Sequence, residues 1–331
     1  MRIPAGDAVL SSAWLSGALG ASPAWPHGPL QVVSATRIGR EHGFSGRIHR
    51  VVAGTEGRGR LSFVVKQETS EAVERELLVR SECGELLREC VPDCFGGVSD
   101  GETGRGVLVL EDVAPADQGD VLQGCTEERA EAVVSVLARL HAASWQPGDD
   151  ASSADLPRWP ARPMDPDLWI DRLVRAAARF PLILTGDLTA RIRHLPEQVS
   201  PVLERLRVGP AAWIHADAHL DNVLWRPDGT AVLLDWCNAA IGPPAADVAR
   251  FLSEGVAAES RPALVSAYAR EVGAGLGESS AAVALAVLPL LQSAVGWAGR
   301  EDLASAGRPA AVCESWLRSV CLWAVSQDVG R

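Results

Sequence analysis

Trp213 to Trp236 runs WIHADAHLDNVLWRPDGTAVLLDW. Apolar Trp213 and Ile214 read as the end of a short strand, and a polar run from His215 to Asn222 follows. Two short apolar runs come next, Val223 to Trp225 and Ala231 to Leu234. They are joined by Arg226-Pro227-Asp228-Gly229, which has the composition of a tight hairpin turn. The second run delivers Asp235 at its end. Asp217, Asn222 and Asp235 are therefore expected at the mouth of one small hairpin, where three oxygen-bearing side chains can converge. Convergent carboxylate and amide oxygens suit a hard cation such as Mg²⁺. Two other readings stand beside this one. The polar run can be a solvated loop, or His215, Asp217, His219 and Asp221 can form a zinc or di-metal hydrolase site. The second is short of ligands, because no histidine follows His219.

The pattern resembles the catalytic segment of the aminoglycoside phosphotransferase and choline-kinase-like enzymes, relatives of the protein kinases. Their motif runs H-G-D-x-x-x-x-N, then a hairpin, then a metal-binding D. Here it reads His215-Ala216-Asp217, then Asn222, then Asp235, with Ala216 where glycine is usual. The resemblance implies that Asp217 accepts the proton of a substrate hydroxyl. It also implies that Asn222 and Asp235 hold Mg²⁺ on the phosphates of ATP or GTP.

The totals bound the alternatives. At 331 residues the chain is expected to divide into two lobes, and its 47% hydrophobic and 22% charged residues are those of a globular protein. A net charge of −11 argues against a nucleic-acid partner. The seven cysteines are odd in number and form no CxxC pair, so they read as reduced thiols of a cytoplasmic protein. Of 31 basic residues only Lys66 is a lysine. No GxxxxGK[ST] loop can exist, which removes the P-loop NTPases. Lys66 ends the apolar run Leu61 to Val65, and lysine is a compact point charge able to reach phosphate oxygens from a crowded strand.

Ahead of Lys66, Asp7 is a plausible N-cap for a helix burying Leu10, Trp14 and Ala18, favoured over a secretory signal. Val32–Ile38, Arg47–Ala53 and Arg60–Gln67 read as strands. The glycine-bearing segment between the first two resembles the flap over the ATP phosphates, with Gly43, Ser45 and Gly46 as donors. Glu71 to Cys90 reads as a helix. By resemblance Glu76, with Glu74 second, pairs with Lys66. Cys94–Val98 and Gly106–Leu110 complete a five-stranded sheet, and Leu108 to Val113 resembles the hinge, where the backbone of Glu111 and Val113 binds adenine. Residues 100–135 carry nine acidic residues against two arginines, either a lure for a cationic substrate or a solvated face.

Downstream, Thr126–Ser144 reads as an amphipathic helix, and Asp165-Pro166 opens a helix to Arg179. Leu188–Arg207, Ala245–Ser253, Arg261–Val272, Ser279–Gly299 and Val312–Val325 read as further helices. Ser279–Gly299 is apolar enough to span a membrane, but Pro289, Gln292 and Ser293 mark it as core. By resemblance Asp247 steadies the catalytic loop. The expectation is an α+β, bilobal, protein-kinase-like fold. Residues 1–113 form a nucleotide-binding lobe with an antiparallel five-stranded sheet and a helix, 114–125 the hinge, and 126–331 a mainly helical catalytic lobe. The expected activity is phosphoryl transfer from ATP or GTP to a hydroxyl of an antibiotic, conferring resistance. The alternatives are a kinase of choline, a sugar or a similar metabolite, the hydrolase above, and a catalytically dead binding module. The expected state is a monomer or homodimer with no nucleic-acid or membrane partner.

Overall fold

Runs of β-branched and aromatic residues alternate along the first third of the chain, and they fold as strands because alternate side chains can then be buried on opposite faces. The computed structural model describes residues 2–20, 22–39, 47–55, 59–82, 88–145, 156–273, 279–303 and 306–327. The chain divides into two units, Met1–Asp117 with Leu224–Ala239, and Gln118–Val223 with Ala240–Arg331.

In the first unit α1 (Ser12–Gly20) precedes β1 (Leu30–Ile38), β2 (Arg47–Thr55) and β3 (Gly59–Thr69); α2 (Ser70–Glu82) leads to β4 (Cys94–Asp100) and β5 (Arg105–Glu111). The strands form the expected antiparallel sheet in the order β1-β2-β3-β5-β4. On one face Phe63, Val65, Val107 and Val109 pack with Leu15 and Leu19 of α1 and with Trp25. On the other, Val64, Leu108 and Leu110 pack with Val73 and Leu77 of α2. Each such side chain, fully buried, contributes roughly 1.5–3 kcal/mol. Lys66 lies two residues beyond Val64 and so faces α2. The helix approaches so closely that a Cβ at Gly106 would lie 2.4 Å from Val73 Cγ2 and 2.8 Å from the Thr69 carbonyl oxygen. That position requires glycine.

Three sequence expectations need correction. Asp7 does not cap α1; it sits inside a 3-10 turn, Gly6–Leu10, and the helix starts at Ser12 and buries Leu15 and Leu19, with Trp14 and Ala18 only half-buried. The described part of α2 ends at Glu82, and Arg88 to Cys90 form a turn, so the helix does not reach Cys90. Leu188–Arg207 is not one helix, as described next. Gly43, Ser45 and Gly46 lie outside the described residues.

After the two-residue β6 (Asp117–Gln118) come α3 (Glu127–Ala143), α4 (Pro166–Arg179), α5 (Gly186–Arg191) and α6 (Leu195–Arg207). A 3-10 turn, Ile192–His194, separates α5 from α6; Pro196 occupies the first turn of α6, where its missing N–H is not needed, and Pro201 lies inside the same helix. Thr126 caps α3 by accepting from Arg129 N–H, and Asp165 caps α4. Then β7 (Ala212–Ile214), the hairpin of β8 (Val223–Trp225) and β9 (Ala231–Leu233), and β10 (Ala240–Gly242) lead to α7 (Pro244–Leu252), α8 (Arg261–Val272), α9 (Ser279–Ala298) and α10 (Arg308–Ser326). β7 and β10 pair antiparallel.

α9 is long and apolar enough to cross a membrane. Within the second unit it instead packs against α4, α6, α7, α8 and α10, burying Val283, Val287, Leu291 and Val295. Its Gln292 accepts from Met164 N–H (2.9 Å) and donates to the Arg162 carbonyl (3.1 Å). The hairpin Leu224–Ala239 groups with the first unit, although the sequence placed it in the helical lobe. Leu233 N–H donates to the Cys90 carbonyl (2.7 Å), and Arg226 grips Glu111 with two bonds of 3.0 and 3.1 Å.

Candidate active site

In the first unit the single lysine is buried. Lys66, 4% exposed, donates to Glu76 Oε1 and, at 2.7 Å, to Asp235 Oδ1. Glu76 is 1% exposed and Arg80, one turn on, lies 3.8 Å from its second oxygen. Burial pulls the Lys66 ammonium down, but Glu76 and then Asp235 outweigh it and hold its pKa above the ordinary lysine value. Glu74 is turned away and accepts from Ser99 (2.5 Å), so the helix phase chooses Glu76. Asp235 has the left-handed backbone φ of 60°, and Arg75 of α2 donates to the Cys237 carbonyl (2.8 Å) just beyond it. The side chain of Asp235 is 31% exposed, so it is presented to solvent as well as to Lys66.

The two residues expected at the hinge, Glu111 and Val113, differ in how far their backbone is engaged. Glu111 N–H is committed to the Asp93 carbonyl (2.8 Å), and its carboxylate holds Arg226. The Val113 backbone makes no hydrogen bond among the described residues. Three of the nine acids in residues 100–135 are committed to arginines. Asp112 is taken by Arg50 (2.8 and 3.0 Å) and Ser62, Glu111 by Arg226, and Asp120 by Arg308.

In the second unit β7 delivers the chain into His215. Ala216 stands at φ 63°, a conformation that costs an L-residue roughly 1–2 kcal/mol. Asp247, fully buried in the first turn of α7, holds it there. Its carboxylate accepts from His215 N–H (2.6 Å) and Ala216 N–H (2.7 Å) and meets His141 Nε2 at 3.3 Å; His141 Nδ1 is 2.8 Å from Tyr268 Oη. The turn projects Asp217, whose side chain is 35% exposed. Arg250 donates to Asp217 Oδ1 (3.3 Å) and to Glu254 (2.7 Å), with its guanidinium 4.5 Å from the Trp316 ring centroid. His219 Nε2 lies 3.7 Å from Asp217 Oδ1. Burial pushes the Asp217 carboxyl up, but His219, Arg250 and His215 outweigh it and hold it well below the usual carboxylate range. The group stays an anion at neutral pH.

Asn222 donates through Nδ2 to the Asp217 carbonyl (3.1 Å) and to His219 Nε2 (3.1 Å). Both donor contacts fix which way the amide points, and its Oδ1 accepts no bond among the described residues. Each by itself, the Asn222 amide oxygen of the second unit and the part-exposed Asp235 carboxylate of the first are hard oxygen donors of the kind that suits Mg²⁺. The hydrolase site is not assembled. Asp221 turns to Arg308, His215 Nδ1 accepts from Asp217 N–H (3.3 Å), and among the described residues no group of three His, Cys, Asp or Glu side chains is placed to hold a metal.

Nothing in the sequence reading points to Arg250, Glu254, His141 or Arg308. Arg250 was findable, since it follows Asp247 by three residues and so shares its helical face. A lone histidine on the apolar face of α3 was the only sign of His141.

Among known proteins, the sequence model of the phosphotransferase enzyme family matches residues 39–282. No curated protein sequence matches the chain. Three solved structures show its fold. One is a putative aminoglycoside phosphotransferase from Ralstonia eutropha JMP134, 17% identical, covering 95% of this chain and 97% of that one at a TM-score of 0.61. The macrolide 2'-phosphotransferase MphH from Brachybacterium faecium is 19% identical, with 88% and 91% covered at 0.55. A spectinomycin phosphotransferase in complex with ADP and spectinomycin is 12% identical, with 90% and 94% covered at 0.59. The family match takes in far more than half of the 331 residues, and the chain belongs to the phosphotransferase enzyme family: it is an O-phosphotransferase of protein-kinase-like fold.

Proposed function

We propose that this chain is a small-molecule kinase that transfers the terminal phosphoryl group of ATP or GTP to a hydroxyl of an antibiotic. Asp217 takes the hydroxyl proton as the oxygen attacks the γ-phosphorus, and the bond to the β-phosphate oxygen breaks to release the nucleoside diphosphate. Because its carboxylate is held ionised and about a third exposed, it can both face solvent and orient an incoming alcohol. Lys66, aimed by Glu76, aligns the phosphates. Asn222 and Asp235 hold Mg²⁺, which when bound neutralises charge developing on those oxygens. Gly43, Ser45 and Gly46 cover the phosphates, and the backbone of Glu111 and Val113 takes the adenine edge. Positioning and electrostatics carry the reaction, and no covalent intermediate is needed.

The observation that carries this reading is the lone lysine, buried on β3 between Glu76 of α2 and Asp235 just beyond β9, with the Asp235 carboxylate still partly open to solvent. Solved proteins of the same fold named for phosphorylating a macrolide and spectinomycin support an antibiotic acceptor. A second reading, an amino-alcohol or other metabolite kinase, is favoured by the likeness to an aminopropanol kinase at a TM-score of 0.59. Buried Cys313 and Cys321, which form no disulfide, support a cytoplasmic location. The test is a thermal-shift screen with Mg²⁺-ATP and Mg²⁺-GTP, followed by antibiotic and amino-alcohol panels scored for nucleoside diphosphate release. Nucleotide at a hundred times its Kd adds about 2.7 kcal/mol of stability. Absence of any nucleotide protection, with zinc bound instead, would overturn the proposal.

A further inference from the structure

The first residue of α10, Arg308, reaches back to the loop that carries Asp217 and Asn222. Its Nη1 donates to both oxygens of Asp120 (3.1 and 3.1 Å), and its Nη2 to both oxygens of Asp221 (2.8 and 2.8 Å). Asp221 is 5% exposed and also accepts from Val121 N–H (2.9 Å), while Gln118 donates to its carbonyl (3.4 Å). Asp120 is fixed in turn by Leu122 N–H (2.8 Å) and Gln123 Nε2 (3.1 Å). The same turn is pinned from below. Leu220 lies over Gly255, where a Cβ would come within 2.2 Å of Leu220 Cδ1, and the Gly255 carbonyl accepts from Cys125 N–H (3.0 Å). The 3-10 turn Leu220–Asn222 thus has its middle residue clamped by a planar guanidinium whose fork matches two carboxylates at once.

We propose that Arg308 is a positioning residue: by holding Asp221 it fixes the aim of the adjacent Asn222 Oδ1 toward Mg²⁺. This rests on the reading of Asn222 as a metal ligand. In a three-residue turn the two neighbouring side chains cannot move independently: Asn222 is held by its N–H to the His219 carbonyl (2.9 Å) and by its two side-chain donor contacts, all made within the same loop, so a shift of Asp221 carries it along. Lysine cannot replace the guanidinium, because one ammonium cannot span both carboxylates in a plane.

The test measures the Mg²⁺ concentration giving half-maximal nucleotide binding, by calorimetry at fixed nucleotide, beside the thermal midpoint of each variant. Arg308→Met is expected to raise that concentration about 10–100-fold, the usual effect of losing a partner that orients a ligand. Asp120→Asn leaves the grip on Asp221 in place, so its Mg²⁺ requirement stays near that of the native protein even if its midpoint falls. The double variant Asp221→Asn/Arg308→Met removes the buried anion that Arg308→Met strands, so it recovers stability while its Mg²⁺ requirement stays raised. A lowered midpoint in Arg308→Met with an unchanged Mg²⁺ requirement would make the clamp merely structural and overturn the proposal. Native protein that binds nucleotide without regard to Mg²⁺ would sink the metal reading of Asn222, and this inference with it; that result is read on the native protein alone.

Discussion

Asp247→Asn is the perturbation whose consequences can be worked through most fully. The native carboxylate accepts two backbone N–H bonds of 2.6 and 2.7 Å and keeps Ala216 at φ 63°. The amide retains one acceptor oxygen and turns an NH₂ group toward the other N–H. One charge-assisted bond, worth roughly 1.5–3 kcal/mol, is lost, and an N–H of the turn is left facing a donor, which costs roughly 1–3 kcal/mol more. Part of the cost returns as Ala216 relaxes out of the left-handed region, which spares roughly 1–2 kcal/mol. The net expectation is a local loss of about 2–4 kcal/mol, or amide exchange at His215 and Ala216 roughly 30- to 700-fold faster. Hydrogen exchange followed at those amides reads the effect without assuming that a chain of two units unfolds in one step. Ala216→Gly supplies the complement. Relief of roughly 1–2 kcal/mol of strain, less roughly 0.5–1 kcal/mol for the extra freedom of glycine in the unfolded chain, leaves a net gain of about 0.5–1 kcal/mol. In the Asp247→Asn background that gain disappears, because the turn is no longer forced to positive φ. Unchanged exchange in Asp247→Asn, or an equal effect of Ala216→Gly in both backgrounds, would refute the idea that Asp247 sets the turn.

Three further outcomes follow from the geometry. Glu76→Gln removes the first of two anions from a buried ammonium, and is expected to raise KM for the nucleotide with a loss of about 10–100-fold in kcat/KM, read from initial rates. The Asp217 carboxyl, held low, makes its stabilising contribution in full above about pH 4, and that contribution fades as pH falls further. Its protonation therefore adds no acid limb to kcat/KM between pH 5 and 8; Arg250→Met, which removes the guanidinium that donates to it, moves that limb upward toward the ordinary carboxylate range, as a pH-rate series will show. Burial pushes the Cys125 thiol up to about 11 and those of Cys313 and Cys321 to about 12. Iodoacetamide at pH 8 is thus expected to label these three only after denaturant is added, scored by mass spectrometry.

Local chemistry was legible before the fold was known. The hairpin on which the proposed function rests declares itself because its turn and three oxygen-bearing side chains lie within one short segment. Lys66 stands out because a chain whose other 30 lysine-or-arginine positions are all arginine sets its single lysine at the end of an apolar run. In the structure, alternation along β3 sets Phe63 and Val65 on one face and Val64 and Lys66 on the other, toward α2, a consequence the sequence reading did not draw. Less accessible were groups that meet only through tertiary packing. Arg308 and Asp221 are separated by 87 residues, and His141 and Asp247 by 106, so no periodicity links them. The grouping of Leu224–Ala239 with the first unit was hidden for the same reason, since it depends on Cys90 and Glu111 receiving the hairpin. The break at Ile192–His194 was masked, because the apolar period continues through it.

The central claim is that Asp217 takes the proton of the acceptor hydroxyl while other residues hold the donor. Its sharpest test compares native protein with Asp217→Asn for nucleoside diphosphate release and for Mg²⁺-nucleotide affinity in the same preparation. The expected result is turnover reduced about 10²–10⁴-fold with nucleotide Kd essentially unchanged. Turnover that survives the substitution, with affinity intact, would contradict it.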